Sequence, residues 1–356
     1  MARLSAPAES QPRGAAGLVR HIVAGWSCQV LHAAVQLGLP DLLAAAPQPS
    51  AQLAVAMDCD PDGLLRLLRA LCVLGVCKEQ RDGRHALTPT GRLLCTDTGT
   101  KSTSLRALVQ WWGGPLWPMW AELAYSVRTG RSAREKTSGS TAYDFLDPGG
   151  DVAQVFHDAQ RAMTALVLHD LQQWPGWQGA RTVVDAGGGH GQVMLALLAA
   201  HPGLSGVIFD MPHAQAGALR QISTAGQSQR CQFVPGSFFE QVPPGADRYV
   251  LKSILHNWND SRCAELLRVC RRAAPAHATL LIVERVRPQR LRASQRNESV
   301  VRTDLNMLAG LGGRERSVDE FAALLDAADF RLSSVRPLSF EFSVIEAFAG
   351  REQAAP

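Results

Sequence analysis

The stretch that most constrains this chain is Thr182-Val183-Val184-Asp185-Ala186-Gly187-Gly188-Gly189-His190-Gly191, followed by an apolar run from Val193 to Ala200. A β-branched run ending in an acid, then glycines, then helical spacing predicts a strand, a tight turn and the start of a helix. The glycines permit positive φ and let a ligand approach the main chain without meeting a Cβ. The helix behind them offers free N–H groups.

Two ligand classes compete for such a turn. A dinucleotide site needs G-x-G-x-x-G with the pyrophosphate on the helix N-terminus. Here Gly187, Gly189 and Gly191 alternate and Asp185 precedes them. A carboxylate there repels a pyrophosphate but attracts the ammonium end of S-adenosylmethionine. The charge favours a cationic cofactor. An ordinary tight loop is the plainer reading, and four clustered glycines weigh against it.

With 356 residues the chain has room for two domains. An apolar share of 46% and a charged share of 19% are those of a globular protein, and a net charge of +4 without a basic block predicts neither a nucleic-acid nor a membrane footprint. The eight cysteines lie scattered, without C-x-x-C pairs or a His cluster, so no zinc site or disulfide framework is expected, and the setting reads as cytoplasmic. No apolar run is long enough for a bilayer. Residues 1–17 lack a signal-peptide core and read as a disordered tail.

Residues 18–105 read as a mainly helical, winged-helix-like domain. Helical spacing covers 18–46 with a break at Leu37-Gly38-Leu39-Pro40, two helices follow at 51–57 and 62–74, and 75–87 is a hairpin turning at Arg81-Asp82-Gly83. That order raises a DNA-binding regulator as an alternative. The candidate reading helix offers only Arg66 and Arg69, too few basic groups for phosphate binding, so a dimer interface is the better use of its apolar faces.

Residues 106–178 read as a helical connection lining a substrate pocket. Trp111, Trp112, Trp117 and Trp120 either wall a slot for a flat molecule, Trp112 in particular, or are plain core aromatics. Residues 136–150 read as a surface loop, and 152–173 as a helix with Phe156, Met163 and Leu166 on one side. From 179 to 350 the pattern becomes α/β. Strands are expected at 182–185, 205–210, 230–235, 247–252 and 279–284, and helices at 192–200, 214–225, 261–273 and 317–328, the last with a Ser317–Glu320 capping box. Closing strands follow at 331–338 and 340–347. This predicts a parallel, Rossmann-like sheet covered on both faces.

Ligands of such sheets bind beyond the carboxyl ends of the strands. Those ends carry Asp185 and its glycines, Asp210, Gly236-Ser237-Phe238, Lys252 leading to His256, and Glu284. Asp210 is placed to accept hydrogen bonds from a ribose diol, or to cap the helix after Met211. His256 is a structural histidine, or a base whose tautomer Glu284 fixes. Glu315 is a second flanking carboxylate or only a loop charge.

Together these residues resemble the O-methyltransferase family of plant caffeic-acid-type, animal hydroxyindole and bacterial natural-product enzymes. The resemblance runs from about residue 18 to 348 and rests on V-V-D-A-G-G-G-H-G, D-M-P-H, G-S-F-F, L-K-S-I-L-H-N-W-N-D, L-L-I-V-E and G-G-R-E-R-S-V-D-E-F. It implies a Rossmann-like domain using S-adenosylmethionine and releasing S-adenosylhomocysteine, with no metal, behind an amino-terminal dimerisation domain that makes a homodimer. It places Asp185, Gly187 and Gly189 on the methionine part, Asp210 on the ribose, and Phe238 and Lys252 at the adenine end, with Met211, Gly236 and Ser237 also on the cofactor. His256 becomes the general base flanked by Glu284 and Glu315. Trp112, Phe156, Gln160, Met163, Asn257, Asn306 and Met307 line a hydroxylated aromatic substrate.

Two departures stand out: Ser237 replaces an Asp at the adenine, and Asn257 replaces an Asp beside the base. Some relatives of this fold bind S-adenosylmethionine yet hydroxylate, decarboxylate or cyclise. Retention of His256 and both glutamates favours methyl transfer here.

Overall fold

A computed structural model describes residues 14–99, 103–139 and 150–350. The proposed tail therefore lies almost wholly outside the described residues. The chain divides into two compact units between Pro115 and Leu116.

The first unit follows its apolar periodicity. It contains α1 (Ala15–Gln36), α2 (Leu39–Ala45), β1 (Gln48–Pro49), α3 (Ser50–Ala56), α4 (Pro61–Val73), β2 (Cys77–Glu79), β3 (Arg84–Leu87), α5 (Pro89–Arg92) and α6 (Arg106–Gly113). Asp60 caps α4 by accepting from Gly63 N at 2.7 Å, and Leu64, Leu68 and Leu71 on that helix are buried. Arg66 spends its charge on Asp62 one turn away at 2.7 Å. The strands form an antiparallel sheet of order β1-β3-β2. One face of α1 stays open, with Leu18, Val19, Ile22 and Trp26 all more than half exposed. No single helix among the described residues is long and apolar enough to cross a membrane.

The second unit opens with short helices α7 (Trp117–Ala121), α8 (Leu123–Thr129) and α9 (Ala133–Ser138), then α10 (Asp151–Gln172). The expected loop at 136–150 is corrected at its start, because Ser132 caps α9 by accepting from Glu135 N and the helix runs on through Ser138. Residues 140–149 lie outside the described residues. The α/β order then appears: β4 (Thr182–Ala186), α11 (Gln192–Ala200), β5 (Ser205–Asp210), α12 (Gln215–Thr224), β6 (Cys231–Pro235), β7 (Arg248–Lys252), α13 (Asp260–Ala273), β8 (Thr279–Arg285), α14 (Gln295–Leu311), α15 (Val318–Asp326), β9 (Phe330–Pro337) and β10 (Phe342–Ala349).

The sheet has seven strands in the order β6-β5-β4-β7-β8-β10-β9. Its first five are parallel, while β10 runs antiparallel to both β8 and β9. The expected all-parallel sheet is therefore mixed, because β9 and β10 are joined by a tight turn that only an antiparallel pair can accept. Chain order reverses between β4 and β7, which opens a crevice at their carboxyl ends. Strand alternation fills both faces. Val184, Leu251 and Ile282 pack toward α13 and α15, and Val183, Val250 and Leu281 toward α10, α11 and α12.

The helix α14 was not expected from the sequence. Its first turns are Gln, Arg, Asn and Glu, which hide the later apolar spacing. The capping box on α15 is present in full, with Glu320 N donating to Ser317 Oγ at 3.3 Å and Ser317 N donating to Glu320 Oε2 at 2.8 Å. Replacing Ser317→Ala should lower unfolding free energy by about 1 kcal/mol, read as a drop in the urea midpoint at constant slope. An unchanged midpoint would show that the cap contributes nothing.

Candidate active site

The chain leaves β7 at Lys252 through Ser253, a non-glycine residue at φ +55°, and turns tightly over Leu255–Asn257. This turn carries His256, and a buried carboxylate from the next strand holds it. Glu284 Oε1 accepts from Ile254 N and Leu255 N, both at 2.9 Å, and from His256 N at 3.4 Å. Its other oxygen lies 3.3 Å from His256 Nδ1. Glu315 Oε1 sits at 3.3 Å from the same nitrogen.

The segment bearing Glu315 is fixed from both sides. Glu315 N donates to Asp304 Oδ1 of α14 at 2.8 Å, and Arg314 N donates to His256 O at 2.9 Å. Gly313 passes so near that a Cβ would stand 2.0 Å from His256 O, so only glycine fits. The buried Arg316, whose role the sequence reading missed, donates to Leu255 O at 2.9 Å and Trp258 O at 2.8 Å and grips Asp260 Oδ1 through Nε and Nη2. Asn257 Nδ2 braces the turn from within by donating to Ser253 O at 2.9 Å.

With two carboxylates facing Nδ1, that nitrogen carries the proton and Nε2 is left as an acceptor. Burial disfavours the imidazolium, but Glu284 and Glu315 outweigh it, and the His256 pKa is raised. Burial likewise raises Glu284, against the opposing pull of His256. The ligand atoms of these three side chains lie within 4.8 Å of one another, a donor set that also suits a cation.

The glycine turn lies at the neighbouring strand end. Gly187 sits at φ +80°, and a Cβ on it would come within 2.3 Å of Ile254 Cδ1. Asp185 is buried beneath the turn, its Oδ2 has no hydrogen-bond partner, and burial reinforced by Asp210 lifts its pKa to about 7. An orphaned buried carboxylate oxygen under an open glycine turn suits a bound cation. Asp210 binds the turn itself, accepting from Gly189 N at 2.6 Å and Met211 N at 2.7 Å. It does not cap a helix; Met211 precedes the short turn Pro212–Ala214, with no side-chain cap.

Gly236 N is tied to Asp210 O at 2.9 Å, and Ser237 Oγ turns inward to accept from Phe239 N at 3.3 Å. Phe238 approaches Gly187 and Trp258. The Lys252 ammonium lies 5.4 Å over the Phe342 ring, among the charges of Glu284, Arg285 and Asp185, and burial lowers its pKa to about 8. The half-exposed Met211 lies beside Asp210.

On α10, Phe156 and Met163 are half-buried and Gln160 is exposed. Met163 Sδ accepts from the buried Arg285 at 3.6 Å, a residue the sequence reading passed over. Asn306 Oδ1 accepts from Trp120 Nε1 at 3.2 Å, and Met307 O accepts from Gly313 N at 3.2 Å. Trp112 lies on α6 of the first unit, 42% exposed. His157 of α10 stacks on His190 of the glycine turn at 4.6 Å, a pairing that no sequence spacing signals.

A glycine turn over a buried acid, with a carboxylate-held imidazole at the next strand end, is an arrangement suited to an α/β enzyme of the cofactor-binding kind. The chain belongs to the O-methyltransferase family: that family's O-methyltransferase domain matches residues 120–331 and its dimerisation domain residues 19–97. It is 38% identical over 347 residues to O-demethylpuromycin-O-methyltransferase of Streptomyces alboniger, covering 96% of this chain and 91% of that one. It is 36% identical to phenazine O-methyltransferase of Lysobacter antibioticus, over 93% of this chain and 95% of that one. The crystal structure of an O-methyltransferase from neocarzinostatin biosynthesis, in complex with S-adenosylmethionine and 2-hydroxy-5-methyl naphthoic acid, superposes with a TM-score of 0.74 at 30% identity, over 90% of this chain and 95% of that one.

The charge balance at His256 has a direct readout. Its raised pKa means that the imidazolium persists above the ordinary value of about 6.5. Replacing Glu315→Gln removes one of the two raising carboxylates, so the His256 ring signals in an NMR titration should shift at lower pH than in the unaltered protein. An unmoved or higher titration midpoint would mean that Glu315 does not face an ionising imidazole.

Proposed function

We propose that this protein methylates a hydroxyl group of an aromatic small molecule in secondary-metabolite biosynthesis, with S-adenosylmethionine as donor and His256 as general base. The observation that carries this reading is the His256 imidazole, whose Nδ1 lies 3.3 Å from both Glu284 and Glu315, a placement that favours the proton on Nδ1 and leaves Nε2 to accept. The relatives' activities support the class of acceptor.

Asp185, Gly187 and Gly189 would hold the amino-acid end of the cofactor, with Asp210 and Met211 at the ribose and Gly236, Ser237, Phe238 and Lys252 nearby. The fit rests on the orphaned Asp185 Oδ2 and the open space beside Gly189. Lys252, on the same side as Asp185, supports a place near the charged end of the cofactor better than one beside Phe238. When bound, the cofactor supplies a methyl group on a cationic sulfur. Phe156, Gln160, Met163, Asn306 and Met307 would border the acceptor. Asn257 serves it through the turn, by fixing Ser253. Trp112 is a further candidate.

The chain's own chemistry is proton removal. A phenol at about 10 and an imidazole at about 6.5 leave a gap of about 3.5 units, near 5 kcal/mol, against prior deprotonation. The two glutamates narrow that gap by raising His256. The proton then moves to Nε2 as the oxygen reacts, and the resulting imidazolium sits between carboxylates that stabilise it.

The first unit would join two copies, the open face of α1 with Leu18 and Trp26 supplying apolar area and the winged-helix order serving association, not DNA. Eight cysteines without a disulfide are consistent with a cytoplasmic setting.

His256→Ala should lower kcat by ~10² to 10⁴-fold across a panel of hydroxylated aromatics, scored by mass spectrometry of methylated products. The Kd for S-adenosylmethionine should stay within about threefold. Undiminished turnover would remove His256 from the reaction. Tight cofactor binding with no methylated product from any acceptor in the unaltered enzyme would overturn the activity itself.

A further inference from the structure

Arg285 follows Glu284 on β8, and strand alternation sends its side chain to the opposite face, beneath α10 with Leu281 and Val283. It is 9% exposed. A guanidinium carries five N–H donors and no acceptor. Among the described residues its hydrogen bonding amounts to one contact, from Nη2 to the Met163 thioether at 3.6 Å, and its buried Nε has none. The neighbouring carboxylates of Glu315, Glu341 and Glu284 act on it through space only. Burying so many donors against a weak sulfur acceptor is unfavourable, and an arriving anionic acceptor would offset that.

The fork is also held flat. Its Cζ lies 4.3 Å from the centre of the Phe342 ring, and Phe342 is Arg285's register partner on β10. The turn that delivers Phe342 is strained, with Phe340 at φ +54° and Glu341 at φ +62°, and Ser299 of α14 donates to Glu341 at 3.2 Å. A planar, stacked guanidinium with open edges matches a carboxylate in two parallel hydrogen bonds.

Resting on the methyl-transfer reading above, we infer that Arg285 determines acceptor specificity by receiving a ring carboxylate of a hydroxylated aromatic acid. The cofactor's own carboxylate has the same chemistry, and both Lys252 and Arg285 lie over the Phe342 ring within the influence of Glu284. Position relative to α10 distinguishes Arg285. Its contact with Met163 places it against the helix proposed to border the acceptor.

The test is a binding comparison on full-length enzyme loaded with S-adenosylhomocysteine, using 1-hydroxy-2-naphthoic acid and its methyl ester as probes and calorimetry as the readout. The unaltered protein should bind the acid at least about tenfold more tightly than the ester. Arg285→Met should erase that preference while leaving S-adenosylhomocysteine affinity within about threefold, and Arg285→Lys, which keeps the charge without the fork, should retain part of it. Equal affinity for acid and ester in the unaltered protein, or a preference that survives Arg285→Met, overturns the inference. Loss of S-adenosylhomocysteine affinity with the acid preference intact also overturns it and assigns the fork to the cofactor. Parallel methylation assays separate the two readings: an acid preference that depends on Arg285, without any methylated product, would sink methyl transfer and leave the carboxylate site standing.

Discussion

The Glu284 carboxylate is the constraint on which the site depends. It ends the all-buried strand β8 with no surface exposure, where an unpartnered charge would be untenable. Its partners are the main-chain N–H groups of Ile254 and Leu255, which have no other use because the chain has just left β7 through a left-handed residue. One carboxylate oxygen thus shapes the turn, and the other faces the imidazole that the turn carries. Scaffold and chemistry are a single interaction, so a change at Glu284 alters where His256 stands as well as its charge. Arg316 repeats the logic from the far side, satisfying the carbonyls of the same turn.

Around this centre the sheet's carboxyl edge carries charges of alternating sign. Asp185, Lys252 and Arg285 come from three adjacent strand ends and share one face, while Glu284 and its histidine occupy the other. Each of the buried carboxylates Asp185 and Glu284 is pushed toward its neutral form, and Lys252 toward its free amine. Such groups are expensive in a folded core and add little stability of their own. In the proposed function that cost would be met by ligand charge, a cation over Asp185 and a proton at His256.

The sequence exposed most of this edge because strand and turn chemistry is local. The five strands, the glycine turn and the capping box at Ser317 follow from spacing within a few residues of each element, whereas the flanking of His256 by Glu315 came only from the family resemblance. What escaped was tertiary. The antiparallel hairpin of β9 and β10 depends on a tight turn built from Phe340 and Glu341, residues that rarely take positive φ. The helix α14 begins with polar residues, so its burial comes from packing against α7, α8 and α9 and not from its own period. The bond from Asp210 to the glycine turn likewise follows from neighbours in space.

Arg285 shows why such a residue is invisible in one dimension. In the run Leu280 to Val286 it reads as a surface charge closing a strand, because a basic residue after an apolar run ordinarily marks the exit to solvent. The third dimension reverses that meaning: α10 lies over this face, Phe342 comes up beside it from β10, and the guanidinium is enclosed. A charge at a strand end is solvated if the next layer stops short, and becomes a binding group if the next layer covers it. The course of α10, whose Met163 reaches Arg285, settles that difference here. The same helix therefore borders the proposed acceptor site and encloses the guanidinium proposed to serve it.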